Sequence, residues 1–403
     1  MINLVPNHIR LIIGSWLLFL ALGLQAQESK DVTYIEPHYM AGKIVPNYIF
    51  SFPPTSLQQA LAVDIGTIHA DTSNPWAGYY NYPETGVSLF YSNLGENHIF
   101  GNQLAILPYI TFKVLRKSKS PWHLKLALGA SYFSTFYDSI ENPRNKDIGS
   151  SFTWAFQTTL YKTIYHSDGM NLRLNASYSH ASNGHTQLPN LGINSGLIGI
   201  SAQFYKKQSE GYLTPSKIQT GKDWSPMLIL LEKGIGFHEF GHRDFPVGGK
   251  KYPVHSTSVG VGKVLNQHHL IKAGLTHRYY DSFYDYITGN KDPEYIDQPQ
   301  LNASALELYL GSEFYMGHIS MDVYLGANVF KPFYKRFGEL FKERTEIEYQ
   351  LKRMFATRLG INLYLINTSK NPRNNLYIGP HIKANLDQAD FTEVVVGYQY
   401  RIK

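Results

Sequence analysis

Between Tyr178 and Asn194 the chain reads Tyr-Ser-His-Ala-Ser-Asn-Gly-His-Thr-Gln-Leu-Pro-Asn-Leu-Gly-Ile-Asn, which puts His180 two residues before Ser182. A serine hydroxyl is a weak nucleophile until an imidazole takes its proton, and a third group must fix the imidazole tautomer. Asn194 is a candidate for that third group through its side-chain oxygen. Asn183, Asn190 and the backbone amides of the turn at Gly184 are candidate donors to a developing oxyanion. A polar loop capping a hairpin gives the same string, and His-x-Ser spacing alone favours that reading over a catalytic one.

Whether these groups can meet depends on the strands that carry them. Successive side chains on a strand point to opposite faces. Counting in twos from Met170 gives Leu172, Leu174, Ala176 and Tyr178, and the same face continues through His180 and Ser182. The next strand offers Asn194, Gly196, Ile198, Ile200, Ala202 and Phe204 on one face. If these apolar faces meet lipid, His180, Ser182 and Asn194 lie on an outer wall, at its rim, on neighbouring antiparallel strands. Polar groups facing a bilayer edge cost solvation free energy and call for a functional reason.

The period of two extends well beyond this hairpin. Trp122, Leu124, Leu126, Leu128 and Ala130 alternate with His123, Lys125, Ala127 and Gly129, and Ile319 to Val329 and Phe355 to Leu365 do the same. Such segments run to about 10–16 residues, where a soluble strand averages about 5–6 and a membrane strand needs roughly 9–11. Tyr and Phe recur near segment ends, as an aromatic girdle requires, and the last strand carries Thr392, Val394, Val396, Tyr398, Tyr400 and Ile402 on one face. The pattern predicts an all-β transmembrane antiparallel barrel of about 14–16 strands. Residues 27–403 are expected to form one continuous barrel, with 27–206 holding the motif and 207–403 adding strands. The Lys206 to Pro226 stretch divides the two sets, either as a long turn inside one barrel or as a boundary between two small ones.

Composition narrows the function classes. The 403 residues contain 37 Lys+Arg against 31 Asp+Glu, 14% aromatics and no Cys. Disulfide frameworks, thiolate metal sites and cysteine nucleophiles are therefore excluded, and the charge is too dispersed for nucleic acid. Arg10, the apolar run Leu11 to Leu24 and Ala26 read as a cleaved signal peptide over residues 1–26. His238-Glu-Phe-Gly-His242 matches the H-E-x-x-H zinc string. That chemistry needs a helix, whereas on a strand the two histidines stand about 13 Å apart at roughly 3.3 Å per residue. No metal or other cofactor is expected. The tyrosine-rich Tyr279 to Tyr286 run reads as girdle and outer rim.

His180-Ala-Ser182-Asn183, followed by Pro189-Asn190-x-Gly192, resembles the signature of the outer-membrane lipid A 3-O-deacylase and acyloxyacyl hydrolase family. The resemblance also takes in Trp76 to Gly101 and Asn142 to Ser151, and covers about residues 30–206. It implies an outer-membrane enzyme that cleaves an ester-linked acyl chain from the lipid A of lipopolysaccharide, with outer-leaflet lipid as its partner. Carried over by position, Ser182 is the nucleophile, His180 the base, and Asn183 and Asn190 support the oxyanion beside Gly184. The family has Glu at the third triad position, and here Asn194 stands in its place. Asparagine can hold a tautomer but cannot stabilise an imidazolium by charge. The competing function is a non-catalytic barrel, either a lipopolysaccharide-binding scaffold or a pore selecting through lumen-facing Lys125, Arg173 and Arg358.

Overall fold

The structure is a computed structural model that describes residues 31–47, 51–71, 75–114, 122–206, 225–244, 249–341, 345–386 and 388–402. The signal segment 1–26 and most of the 206–226 divider lie outside the described residues. Among the described residues there are sixteen antiparallel strands, and they close as two barrels of eight. The first contains β1 (Val32–Val45), β2 (Gln58–Ile68), β3 (Glu84–Asn93), β4 (Asn102–Val114), β5 (Trp122–Phe133), β6 (Phe152–Ser167), β7 (Met170–Ser182) and β8 (Ile193–Tyr205). The second contains β9 (Met227–Glu239), β10 (Lys251–Leu265), β11 (His269–Tyr280), β12 (Ser304–Met316), β13 (Ile319–Phe330), β14 (Phe355–Tyr364), β15 (Asn374–Asn385) and β16 (Gln388–Arg401).

The single continuous barrel is therefore corrected. β8 turns back onto β1, pairing Asn194 with Val45 and Tyr205 with Tyr34. β16 likewise pairs with β9, from Thr392 opposite Phe237 to Arg401 opposite Leu228. Eight strands enclose a space just wide enough for side chains to fill, and both interiors are filled that way. In the first, Arg173 reaches Glu84 at 2.9 Å and Glu36 at 3.2 Å. Glu36, His38 and Asp64 bring possible metal-ligand atoms within 4.8 Å of one another. However, Lys125 Nζ already sits 2.6 Å from Asp64, so this cluster is a neutralised ion-pair network. In the second barrel Arg358 grips Glu232 through two bonds of 2.8 and 3.0 Å and also meets Asp322 at 2.8 Å. The lumen cations Lys125, Arg173 and Arg358 are thus paired and buried, which argues against a water-filled selective passage.

The outward phase is apolar, with Leu61, Ile106, Ile198, Leu231, Val259 and Leu325 exposed around the two walls. This is the lipid-facing band of membrane-spanning barrels. At the rim where β7 ends, the connections are long (46–57, 134–151, 183–192), while β6 and β7 are joined at the other rim by 168–169 alone. The two barrels touch at both rims. Trp154 Nε1 donates to Thr392 Oγ1 at 3.0 Å at one, and Tyr80 Oη donates to the His268 carbonyl at 3.0 Å at the other.

The tyrosine-rich run also departs from expectation. β11 ends at Tyr280, and Asp281–Gly289 is a helix. Phe283 and Ile287, one helical turn apart, are buried, with Phe283 stacked on buried Tyr280 at 4.5 Å. These side chains join Phe333 and Phe391 in an aromatic core within the second barrel, so Tyr280 is core and not girdle.

Candidate active site

His180 and Ser182 lie on the outward phase of β7. Leu174, Ala176 and Tyr178 are exposed on that phase, and Arg173, Asn175 and Ser177 are buried on the other. The ladder sets His180 directly opposite Asn194 of β8. His180 Nδ1 and Asn194 Oδ1 are 2.8 Å apart. Tyr178 Oη donates to the same oxygen at 2.7 Å, and with two lone pairs that oxygen can accept both bonds. This network makes Nδ1 the protonated nitrogen, which leaves Nε2 with the lone pair. The tautomer is assigned from the hydrogen bonds, as side-chain protons must be.

Ser182 Oγ is not hydrogen-bonded to His180 among the described residues. It accepts instead from Asn190 Nδ2 at 3.1 Å and from the Gly184 amide at 3.3 Å. Asn190 Oδ1 in turn accepts the Asn183 amide at 3.0 Å. The Asn183 side chain donates to the Gln187 carbonyl at 2.7 Å, so it braces the loop and does not point at the serine. The structure thus gathers His180 with Asn194, and Ser182 with Asn190 and Gly184, as two adjoining pairs of contacts on one rim.

Glycine is required behind the imidazole. Gly192 has φ +76°, and a Cβ there would fall 2.6 Å from His180 Cε1. The Gly192 amide donates to the Asp147 carbonyl at 3.0 Å, which ties this end of the loop to 134–151. Burial, opposed by a hydrogen bond from Asn47, pushes the Asp147 carboxyl up to about 7. That side chain lies outside the spanning strands and accepts from Asn47 Nδ2, which ties 134–151 to the end of β1.

Tyr178, which joins this network, is not singled out by the sequence because its position reads as lipid-facing aromatic. The usable signal was its phase, two residues before His180 on the same face. The H-E-x-x-H residues do not gather. His238 turns inward and meets Ser282 Oγ at 2.7 Å. Glu239 accepts the Leu188 amide at 2.7 Å, and His242 pairs with Asp244 at 3.1 Å.

Two family models match the sequence, Lipid A 3-O-deacylase (PagL) over residues 65–203 and Acyloxyacyl hydrolase, C-terminal domain, over residues 227–402. Between them they take in most of the chain. It belongs to the lipid A 3-O-deacylase and acyloxyacyl hydrolase family. The first match runs from within β2 into β8 and the second from β9 into β16, so each falls within one barrel, and the protein is an integral β-barrel protein of the outer membrane. Among solved structures it is similar to "Crystal structure of the outer membrane enzyme PagL", with 13% identity and a TM-score of 0.30, covering 41% of this chain and 97% of that one. It is also similar to CdiB from Acinetobacter baumannii, at 10% identity and TM-score 0.18, covering 92% of this chain and 60% of that one. No curated protein matches the sequence.

Proposed function

We propose that the protein is an esterase that removes an ester-linked acyl chain from lipid A, with Ser182 as nucleophile, His180 as general base and Asn194 as the group that orients the base. The observation that carries this reading is the shared oxygen of Asn194. By accepting from both Tyr178 Oη and His180 Nδ1, it leaves His180 Nε2 as a proton acceptor on the lipid-facing wall. For the attack, Ser182 Oγ must come within hydrogen-bond reach of that nitrogen. Asn190 Nδ2 and the Gly184 amide, which now meet Oγ, are then free to receive the oxyanion of the tetrahedral intermediate. Proton transfer through His180 to the departing sugar hydroxyl releases the alcohol, and water attacking the acyl-enzyme frees the fatty acid.

The outer wall is the appropriate place for this substrate. An acyl chain in the outer leaflet lies beside the apolar band, so its ester reaches the rim without leaving the membrane. Asn194 holds the tautomer without a negative charge, so the imidazolium is stabilised less than by a carboxylate. The open distance between Ser182 and His180 favours the rival reading, a lipopolysaccharide-binding barrel that keeps the motif as structure. Mass spectrometry of lipid A from cells with and without the gene tests both. Loss of one acyl chain, abolished by Ser182→Ala, is the expected result. An unchanged spectrum across growth conditions leaves the scaffold.

A further inference from the structure

We propose that the second barrel is a positioning partner of the candidate active site on the first, and that Glu239 is the residue that holds segment 183–192 in place. The kinetic arm of this proposal rests on the deacylase reading, and the structural arm stands on geometry alone. Segment 183–192 belongs to no strand ladder, so its backbone groups need partners elsewhere. Within the first barrel the Leu191 and Gly192 amides donate to the carbonyls of Lys146 and Asp147, the Gly184 amide to Ser182 Oγ and the Asn183 amide to Asn190 Oδ1. The second barrel holds the middle of the segment. Glu239 Oε2 accepts the Leu188 amide at 2.7 Å, the Asn190 amide donates to the Arg243 carbonyl at 2.8 Å, and the Glu239 amide donates to the His185 carbonyl at 3.0 Å.

Glu239 also accepts the Gly249 amide at 2.9 Å through its other oxygen. A carboxylate only 2% exposed thus ties a loop of one barrel to a loop of the other with charge-assisted bonds. Gly184 is pressed against the same neighbour. Its φ is +66°, and a Cβ there would fall 2.1 Å from Thr392 Oγ1 of β16. The braced backbone belongs to the residues that face Ser182. Asn190 is held through its amide by the second barrel and reaches Ser182 Oγ with its side chain at 3.1 Å. Displacing such a donor by about 1 Å can cost up to about 100-fold in rate.

The test uses the purified full chain in lipopolysaccharide-containing vesicles, comparing wild type with Glu239→Ala, Glu239→Gln and Lys250→Ala. Lys250 pairs with Asp285 on the exposed surface of the same barrel and serves as the control. Glu239→Ala should lower kcat for acyl release roughly 10- to 100-fold with KM within about twofold. Glu239→Gln keeps an acceptor oxygen for Leu188 and should recover part of that loss, and Lys250→Ala should match wild type. Amide hydrogen exchange should accelerate in peptide 183–192 of Glu239→Ala while β7 and β8 stay protected. Unchanged exchange in that peptide overturns the proposal, and so does faster exchange with unchanged kcat. Should Glu239→Ala fail to assemble, Glu239→Gln, which keeps one acceptor oxygen and turns an NH2 toward the other amide, should show a smaller change in both readouts, and no change in either overturns the proposal. A wild type without hydrolysis overturns the deacylase reading instead, and exchange then decides whether the second barrel holds the segment.

Discussion

The two barrels have the same strand number and fill their interiors by the same means, but only one has a polar outer rim at its seventh and eighth strands. In the first barrel that hairpin opens into residues 183–192, with Tyr178, His180, Ser182 and Asn194 on the outward phase. In the second, β15 and β16 are joined across 386–387, and the outward phase of β15 reads Leu376, Ile378, Pro380, Ile382 and Ala384. The second barrel spends its long connections elsewhere, in 281–303 and 331–354, whose aromatic side chains pack into its own core. Both barrels share the interior network, and the proposed chemistry depends on one hairpin. A serine–histidine pair exists in both halves. In the second barrel Ser282 and His238 are hydrogen-bonded at 2.7 Å but buried to 2% exposure on the lumen side, and His269 with Ser312, 3.2 Å apart and half-buried, lies toward the opposite rim.

The strongest way to break this comparison is to remove each serine in turn. Ser182→Ala should lower acyl release by at least about 10³-fold, as loss of a nucleophile does, while Ser282→Ala should leave it unchanged. Fatty-acid release from reconstituted lipopolysaccharide measures both, and the opposite pattern would move the site to the second barrel.

A smaller effect is expected at Asn194. Losing the orienting group of a triad can cost up to about 10⁴-fold, but the packing of Gly192 against the ring retains part of the geometry. Asn194→Ala should therefore cost roughly 10²-fold in kcat, and Asn194→Glu should preserve or raise turnover, because a carboxylate also stabilises the imidazolium. Equal losses in both variants would show that Asn194 only caps the hairpin. Tyr178→Phe leaves one lone pair of Asn194 unbonded and should cost only several-fold, in line with about 1 kcal/mol for a neutral hydrogen bond. A loss as large as that of Asn194→Ala would instead give Tyr178 a direct part in the reaction.

The smallest effect concerns pH. The native Asp147 carboxyl keeps its proton up to about pH 7, whereas the ordinary value is 3.8. Below about pH 4 both states are protonated, and stability falls as pH rises from there to about 7, because the folded state then binds more protons than the unfolded one. Asp147→Asn should flatten that slope and raise Tm at pH 8 by about 2–4 °C per kcal/mol recovered. A Tm profile parallel to wild type from pH 4 to 8 would remove the buried carboxyl from the account.

Much of this architecture was legible in the chain because alternation survives every tertiary context. β7, β13 and β15 follow the pattern residue by residue, and the phase of Met170 to Ser182 placed His180 and Ser182 on the outer wall. Closure was not legible. A sixteen-stranded barrel and two eight-stranded ones share the same alternation, and only the pairing of β8 with β1 separates them. The size of the inward side chains held a clue, since Arg173, Tyr161 and Glu84 fill a narrow lumen and would line a wide one. The run from Tyr279 to Tyr286 was misread because a strand passes directly into a helix, and the Phe283-to-Ile287 spacing was the available sign. The contacts of Glu239 with residues 185 and 188 had no local signal, because they join segments about 50 residues apart that lie in different barrels.

The two seams carry a consequence for assembly. β1 waits for β8 and β9 waits for β16, so the chain undergoes two ring closures, each joining the first and last strands of its own half. Long-range pairings of this kind are the slow steps of barrel folding. Neither closure borrows a strand from the other, so the first ring can be complete and membrane-embedded while β9 is still unpaired. At that stage the Leu188 and Asn190 amides have not met their acceptors on Glu239 and Arg243. The rim proposed as the active site would then mature last, after the wall that bears it, and a half-assembled chain would sit among its lipids with that rim unfinished.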